Sequence, residues 1–346
     1  MKHIIPIGDK FNYSGRIDFS EPGSAVFCWT GSYLSFSFKG TEISAVIENL
    51  KYWYGRFIGF VIDGEEKCIP IPDGEAEVLL ASGLENTRHD CVLYKRMEGH
   101  YFKLKGFVLS DDGEILEPVP KPKKRIEFYG DSVTAGSVVD AVDYVGQCDP
   151  ENHDGVYDNS WHSYSLMTAR LLPAEVYNTA QGGIAIFDGT GYFEDPALGL
   201  ESCYDKTRYC SMPPRTPWDF SKFVPHVIVF AVGQNDDHPH NGCIHDSEYR
   251  EKWMKRYIEI IEDTRSHTNH ATVILALTVL MHDPAWDEAL EEIKNRLGGE
   301  ENRVYHFTYT RCGQATPGHP RIPEQEEMAR ELTAFLNSLP EDTWND

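Results

Sequence analysis

Long apolar runs are missing from this chain of 346 residues. The longest, Val273 to Leu277 with its flanks, is far too short to span a bilayer, which excludes a membrane-spanning helix. The start, MKHIIPIGDKFNYSG, has no apolar stretch of signal-peptide length, so the chain reads as cytoplasmic, or as secreted only if a leader has been trimmed. Cationic residues are also scarce. Against 55 Asp and Glu stand 32 Lys and Arg, and the resulting formal charge of −23 excludes the clustered basic surface that nucleic acid requires. None of the eight cysteines, at positions 28, 68, 91, 148, 203, 210, 243 and 312, forms a Cys-x-x-Cys pair, so no zinc ribbon or thioredoxin-type site is implied. A chain this long needs no disulfide staples, and reduced thiols are expected. Internal repeats and low-complexity tracts are absent as well.

What is present divides into two halves of different period. In the first, Leu34, Phe36 and Phe38 alternate with Ser35 and Ser37, and Ile43, Ala45 and Ile47 alternate with Ser44 and Val46. Phe57 to Ile62 leads into Asp63-Gly64, a dipeptide that supplies the positive φ angles of a tight hairpin. Strand-like runs follow at Glu77 to Leu80, Cys91 to Tyr94 and Tyr101 to Leu109. Short strands with no helix-period segment between them predict an antiparallel sandwich over residues 1–116. Residues 117–124, Glu-Pro-Val-Pro-Lys-Pro-Lys-Lys, carry three prolines that remove backbone donors, and they read as a linker.

Residues 125–346 alternate strand with helix. Strands are expected at Arg125 to Tyr129, Glu175 to Asn178, Val227 to Ala231, Thr272 to Leu277 and Arg303 to Phe307. Helices are expected at Trp161 to Leu172, Asp246 to Asp263, Trp286 to Leu297 and Pro323 to Leu339. Such alternation predicts an α/β fold with a mostly parallel sheet, and its ligand crevice lies beyond the carboxyl ends of the strands. The insertion Phe187 to Phe223, rich in Gly, Pro and aromatics, is expected to line that crevice.

Four segments that follow strands carry the chemistry. Gly130-Asp131-Ser132 follows the first strand of this half and could present a nucleophile; taken alone it reads more readily as a turn plus a helix cap. Asn178 to Gly183 follows the second, where glycine lets a backbone N–H approach a ligand. Gly233-Gln234-Asn235-Asp236 follows the third and offers an amide donor. Gly318-His319-Pro320 follows the last strand. A Ser, a backbone N–H, an amide and a His converging on one crevice form an acyl-transfer set. Ser132 is the expected nucleophile and His319 its general base. The N–H groups of Ser132 and Gly183 and the side chain of Asn235 are the expected oxyanion donors.

This ordered set resembles the SGNH (GDSL-type) hydrolases. The resemblance is closer to carbohydrate esterase family 2, through Pro22-Gly23-Ser24-Ala25, Gly31-Ser32-Tyr33-Leu34, Phe38-Lys39-Gly40-Thr41, Ala81-Ser82-Gly83-Leu84, Leu93-Tyr94-Lys95-Arg96 and Lys124 to Ser132. It implies a jelly-roll-like β domain before an SGNH domain, and deacetylation of xylan or glucomannan units, often at the sugar 6-O position. One position departs from the pattern. Thr316 stands three residues before His319, where SGNH enzymes usually place an Asp. Family members with a Ser-His dyad, the His held by a backbone carbonyl, imply the same arrangement here, with Asp236 or Asp283 as the acids the fold could otherwise deliver. Two rivals stay open: a lipase or thioesterase for longer acyl esters, and an inactive carbohydrate-binding relative.

No cofactor is expected. His238, His240 and His245 crowd one loop, but their spacing matches no zinc pattern, and no metal is expected there. Cys203 and Cys210 read as a loop disulfide or free thiols. Tyr192, Phe193, Tyr209 and Trp218 could form an aromatic sugar platform or pack conventionally, with Tyr192 and Trp218 the candidates for substrate binding. Trp161 and Trp253 read as core. The expected partner is an acetylated oligosaccharide, and apolar edges of the β half leave room for a homo-oligomer.

Overall fold

Alternation in the first half places every second side chain of a strand on one face, and two such faces close on each other. The computed structural model describes residues 1–51, 53, 57–194, 197–210 and 215–345, so part of the insertion at 187–223 lies outside the described residues. The chain forms two units: residues 1–121 with 154–156, and residues 122–153 with 157–346.

The first unit holds two antiparallel sheets. One runs Ile17–Asp18, Ala25–Phe27, His100–Leu109, Glu42–Lys51, Gly74–Ser82, with Lys2–Ile4 also on His100–Leu109. The other runs Glu114–Leu116, Tyr33–Lys39, Arg88–Tyr94, Phe57–Ile62, Glu65–Pro70, with Asn12–Ser14 on Tyr33–Lys39. Leu34, Phe36 and Phe38 from one sheet meet Ile43, Ala45 and Ile47 from the other in a single buried cluster. Phe36 and Phe107 lie across that core with ring centroids 4.5 Å apart. Burying each such side chain contributes about 2–3 kcal/mol, so the cluster supplies the main drive for this unit. Asp63 (φ 52°) and Gly64 (φ 85°) close the expected hairpin, pairing Ile62 with Glu65.

The second unit is built on five parallel strands: β1 (Lys124–Gly130), β2 (Ala174–Ala180), β3 (Val227–Ala231), β4 (Thr272–Leu275) and β5 (Val304–His306). Their order is β2-β1-β3-β4-β5. β1 and β3 are therefore neighbours whose connections leave in opposite directions, the place where open α/β sheets leave a crevice at the carboxyl edge. Around the sheet lie α1 (Ser132–Ala135), α2 (Tyr164–Leu171), α3 (Ser247–Ser266), α4 (Ala285–Arg296) and α5 (Ile322–Ser338). Asp246 caps α3, its carboxylate accepting from the N–H groups of Glu248 and Tyr249. Trp253, Met254, Tyr257, Ile260, Ile261 and Thr264 form the buried stripe of that helix.

The expected helix from Trp161 starts later, at Tyr164, because Ser163 takes the N-cap and Asn159 caps a separate 3₁₀ turn over Ser160–His162. Trp253 is core, as expected, whereas Trp161 is only half-buried and carries Arg170 over its ring at 4.2 Å. Within the insertion, Lys206–Arg208 pairs with Thr216–Pro217. Among the described residues no helix is long and apolar enough to cross a membrane.

Candidate active site

β1 ends at Gly130, and the next residue fixes the turn. Asp131, fully buried, accepts from Val133 N–H at 3.0 Å and so caps α1, which begins at Ser132. Its second carboxylate oxygen accepts from Gln234 Nε2 at 2.7 Å and Asn235 Nδ2 at 3.2 Å, both on the turn after β3. Gln234 in turn accepts from the Thr278 hydroxyl, just past β4, at 2.7 Å. One chain of hydrogen bonds thus links the carboxyl edges of β1, β3 and β4. Asn178, on β2, joins it by donating to the Thr134 carbonyl at 3.1 Å.

His319 reaches the same edge from the other end of the sequence. Gln325 on α5 donates to the carbonyls of Val133 (3.2 Å) and Pro320 (3.4 Å), one residue past Ser132 and one past His319. Its Oε1 accepts from Tyr164 N–H at 2.8 Å, and Ile322 N–H bonds Val139 O at 3.0 Å. The serine turn and the histidine turn are therefore tied through a single side chain.

The histidine is held by a carboxylate. Asp149 Oδ2 lies 2.6 Å from His319 Nδ1, and Oδ1 accepts from His319 N–H at 2.9 Å and from Arg321 Nη2 at 2.8 Å. Arg321, whose side chain is wholly buried, also donates to the His319 carbonyl. This corrects the expected dyad with a carbonyl-held His. Thr316, at the position usual for the acid, is buried and occupied with backbone pairing to Leu280 and Met281. The two acids considered in its stead lie elsewhere: Asp236 accepts from Ile186 N–H (2.8 Å) and Trp253 Nε1 (2.7 Å), and Asp283 accepts from Ala285 N–H and pairs with His245.

Asp149 comes from the loop between α1 and α2, 170 residues before His319. The sequence does carry one trace of it. A Cβ on Gly318 would lie 2.6 Å from Asp149 Oδ1 and from the Gln147 carbonyl, so only glycine before the histidine lets that loop close over it.

Electrostatics fix the proton positions. Burial would lower the His319 pKa, but the Asp149 hydrogen bond and the charges of Asp149, Asp158 and Asp131 raise it above the usual histidine value. Burial likewise opposes ionisation of Asp149, yet the His319 contacts and Arg321 hold it well below the usual carboxylate range. An ionised Asp149 keeps the proton of neutral His319 on Nδ1 and leaves Nε2 as a lone pair. The ring is 24% exposed and Ser132 7% exposed. Among the described residues neither Ser132 Oγ nor His319 Nε2 makes a hydrogen bond, the looseness common before substrate closes a site.

Of the three expected oxyanion donors, the N–H groups of Ser132 and Gly183 make no hydrogen bond among the described residues. Gly183 has φ +72°, and a Cβ there would lie 2.7 Å from the Tyr192 carbonyl carbon. Asn235 differs. Its Nδ2 already donates to Asp131 and to the Ile184 carbonyl, both at 3.2 Å, so it reaches an oxyanion only by releasing one of them.

Tyr192 stands at this edge, its N–H on the Gly183 carbonyl at 2.7 Å, the residue 62% exposed and its ring stacked on His238 at 4.2 Å. Trp218 takes the packed alternative, buried against Tyr177 and Phe223. Phe193 and Tyr209 are buried too, with Tyr209 donating to Gln181 at 2.5 Å. Cys203 and Cys210 are free thiols. The loop histidines separate, His238 to Tyr192 and His245 to Asp283 at 2.7 Å.

Comparison with known proteins finds similarity to family 2 carbohydrate esterases. Residues 13–120 match the model for the carbohydrate esterase 2 N-terminal domain. The cellulase/esterase CelE of Acetivibrio thermocellus is 28% identical over 94% of the chain, which spans about two fifths (39%) of that relative's length. An acetylxylan esterase / glucomannan deacetylase of Cellvibrio japonicus is 24% identical, with 97% of this chain and 91% of that one covered. A family two carbohydrate esterase from Clostridium thermocellum, solved in complex with cellohexaose, superposes with TM-score 0.79 at 27% identity, covering 94% of this chain and 98% of the other.

Proposed function

This chain is kin to the family 2 carbohydrate esterases along almost its whole length, and from that premise we propose that it removes acetyl groups from xylan- or glucomannan-type oligosaccharides through an acetyl-serine intermediate. The observation that carries the mechanism is the Asp149–His319 pair, tied by Gln325 to the turn that bears Ser132. His319 Nε2 takes the Ser132 hydroxyl proton as Oγ attacks the acetyl carbonyl carbon. The N–H groups of Ser132 and Gly183 meet the oxyanion, each worth roughly 3 kcal/mol in such a site. The imidazolium, stabilised by Asp149, returns its proton to the departing sugar oxygen. Water then attacks the acetyl carbonyl, activated by the same nitrogen, and releases acetate.

Against an inactive binding relative stands Asp149, whose carboxylate makes the contact to His319 that Thr316 does not. Ser132→Ala tests the proposal. Its hydroxyl bonds nothing among the described residues, so the variant should fold and release no acetate from acetylated xylo- or manno-oligosaccharides. Unchanged turnover would sink the assignment. A series of nitrophenyl esters should also show rates falling sharply beyond acetyl; a maximum at longer chains would favour a lipase or thioesterase.

A further inference from the structure

A second group of ionisable side chains converges where β4 and β5 end. His282 lies in the loop after β4, Asp287 and Glu291 are one turn apart on α4, His306 ends β5, and Cys312 follows it. His282 Nε2, the Asp287 carboxylate and Cys312 Sγ lie within 4.8 Å of one another. His282 Nε2 is 2.9 Å from Asp287 Oδ2, while Cys312 Sγ is 4.0 Å from that nitrogen and 3.5 Å from Asp287 Oδ1. His306 stands one step further out, its Nε2 3.9 Å from Asp287 Oδ1.

The hydrogen bonds of both histidines fix which ring nitrogen faces the group. Nδ1 of His282 lies 2.7 Å from the Leu280 carbonyl, which only accepts, so Nδ1 carries a proton. The same ring turns Nε2 to a carboxylate while its side chain is 1% exposed. With Nδ1 engaged by the carbonyl, Nε2 is the nitrogen that faces both Asp287 and Cys312, and it is the one an ion would take. His306 is built alike: Nδ1 is 3.2 Å from the Glu291 carboxylate, the side chain is 7% exposed, and Nε2 is buried with no hydrogen-bond partner among the described residues. Metal-binding histidines hold their outer nitrogen in this way, on a carbonyl or carboxylate that fixes which nitrogen faces the ion. A thiol nucleophile is the wrong reading. In a Cys-His-Asp relay the carboxylate sits on the ring nitrogen away from the thiol, whereas here Asp287 and Cys312 share Nε2.

We propose that His282, Cys312 and Asp287, with His306 as fourth ligand, bind one divalent transition ion of the zinc class. Two imidazoles, a thiolate and a carboxylate suit such an ion. Tetrahedral bonds of roughly 2.0–2.3 Å set neighbouring ligand atoms about 3.3–3.8 Å apart. The separations of 3.5, 3.9 and 4.0 Å already approach that spacing, and His306 must swing in. Binding releases the Cys312 thiol proton to solvent. The ion pins the ends of β4 and β5 to α4, beside Thr278, whose carbonyl accepts from Cys312 Sγ and whose hydroxyl anchors Gln234.

Titrating the chelator-treated full chain with Co²⁺ tests the site. One ion per chain is expected, with the absorption of tetrahedral cobalt and a thiolate-to-cobalt charge-transfer band. Cys312→Ser should remove that band and weaken binding by about tenfold or more, and His306→Gln should weaken it by a similar factor. A joint His238→Asn, His240→Asn and His245→Asn variant should bind as the parent does. Substoichiometric binding by folded protein, or a band that survives Cys312→Ser, overturns the proposal. If Cys312→Ser does not fold, His306→Gln decides, and unaltered cobalt affinity in that variant overturns the four-ligand site.

Discussion

Replacing Asp149 by Asn keeps the shape of the side chain and changes which atoms donate. Oδ1 accepts two hydrogen bonds, from His319 N–H and Arg321, so the oxygen of an Asn stays at that position. Its amide NH₂ then faces His319 Nδ1, across a gap now 2.6 Å wide. A donor there obliges Nδ1 to accept, and the proton of neutral His319 moves to Nε2, where the base needs a lone pair. In a Ser-His-Asp triad the same exchange lowers kcat by about 10⁴-fold, some 5 kcal/mol of barrier. A fall of roughly 10³–10⁴-fold is expected here.

The assay is acetate release from acetylated xylo-oligosaccharides at saturation, across pH. With Asp149 in place, His319 titrates above the usual value of about 6.5, so rate is lost as pH falls through that raised value. In Asp149→Asn the acid limb should move to lower pH. A loss under about tenfold with an unmoved limb refutes the role given to Asp149 and returns His319 to a backbone-held dyad.

Three further outcomes follow from the same contacts. Asp131→Ala leaves Val133 N–H, Gln234 and Asn235 without their shared buried acceptor and should lower stability by about 3 kcal/mol in chemical denaturation. Tyr192→Ala should raise KM for oligosaccharides about tenfold, near 1.4 kcal/mol, while hardly changing turnover of nitrophenyl acetate; equal effects on both would deny it a sugar contact. Burial pushes Asp236 up to about 7, from an ordinary 3.8. Between those values the folded protein keeps a proton that the unfolded chain has released, so stability from this group declines as pH rises through the window. Asp236→Asn should flatten that part of the pH–stability curve, and an unaltered slope would contradict the assignment.

Much of this architecture is legible in the sequence because it follows from periodicity. Alternation at Leu34, Phe36 and Phe38 is the requirement of a two-sheet core, and Asp63-Gly64 can hardly be anything but a tight turn. The strands near 125, 175, 227, 272 and 303 appear within a few residues of their predicted limits, since buried parallel strands leave continuous apolar runs. Segments that follow such strands must meet at one edge, and this is why the turns at Ser132, Gly183, Asn235 and His319 could be grouped.

What stayed hidden depends on side chains that no period records. Asp149 sits in an irregular loop, and only the folded chain shows that Gly318 makes room for it. Gln325 reads as one polar position on an amphipathic helix, yet it bonds both turns of the site. Trp218 and Tyr192 look equivalent as letters in one loop, but Tyr177 and Phe223 cover the first and leave the second exposed. The group around His282 draws on separate segments with no metal-site spacing.

The central claim is that Ser132 is a nucleophile activated by His319, and a fluorophosphonate probe reads this directly. Mass spectrometry should find one adduct per chain, on Ser132, with labelling lost in His319→Ala. No adduct on folded protein, or labelling of Ser132 that proceeds equally well without the histidine, would contradict it.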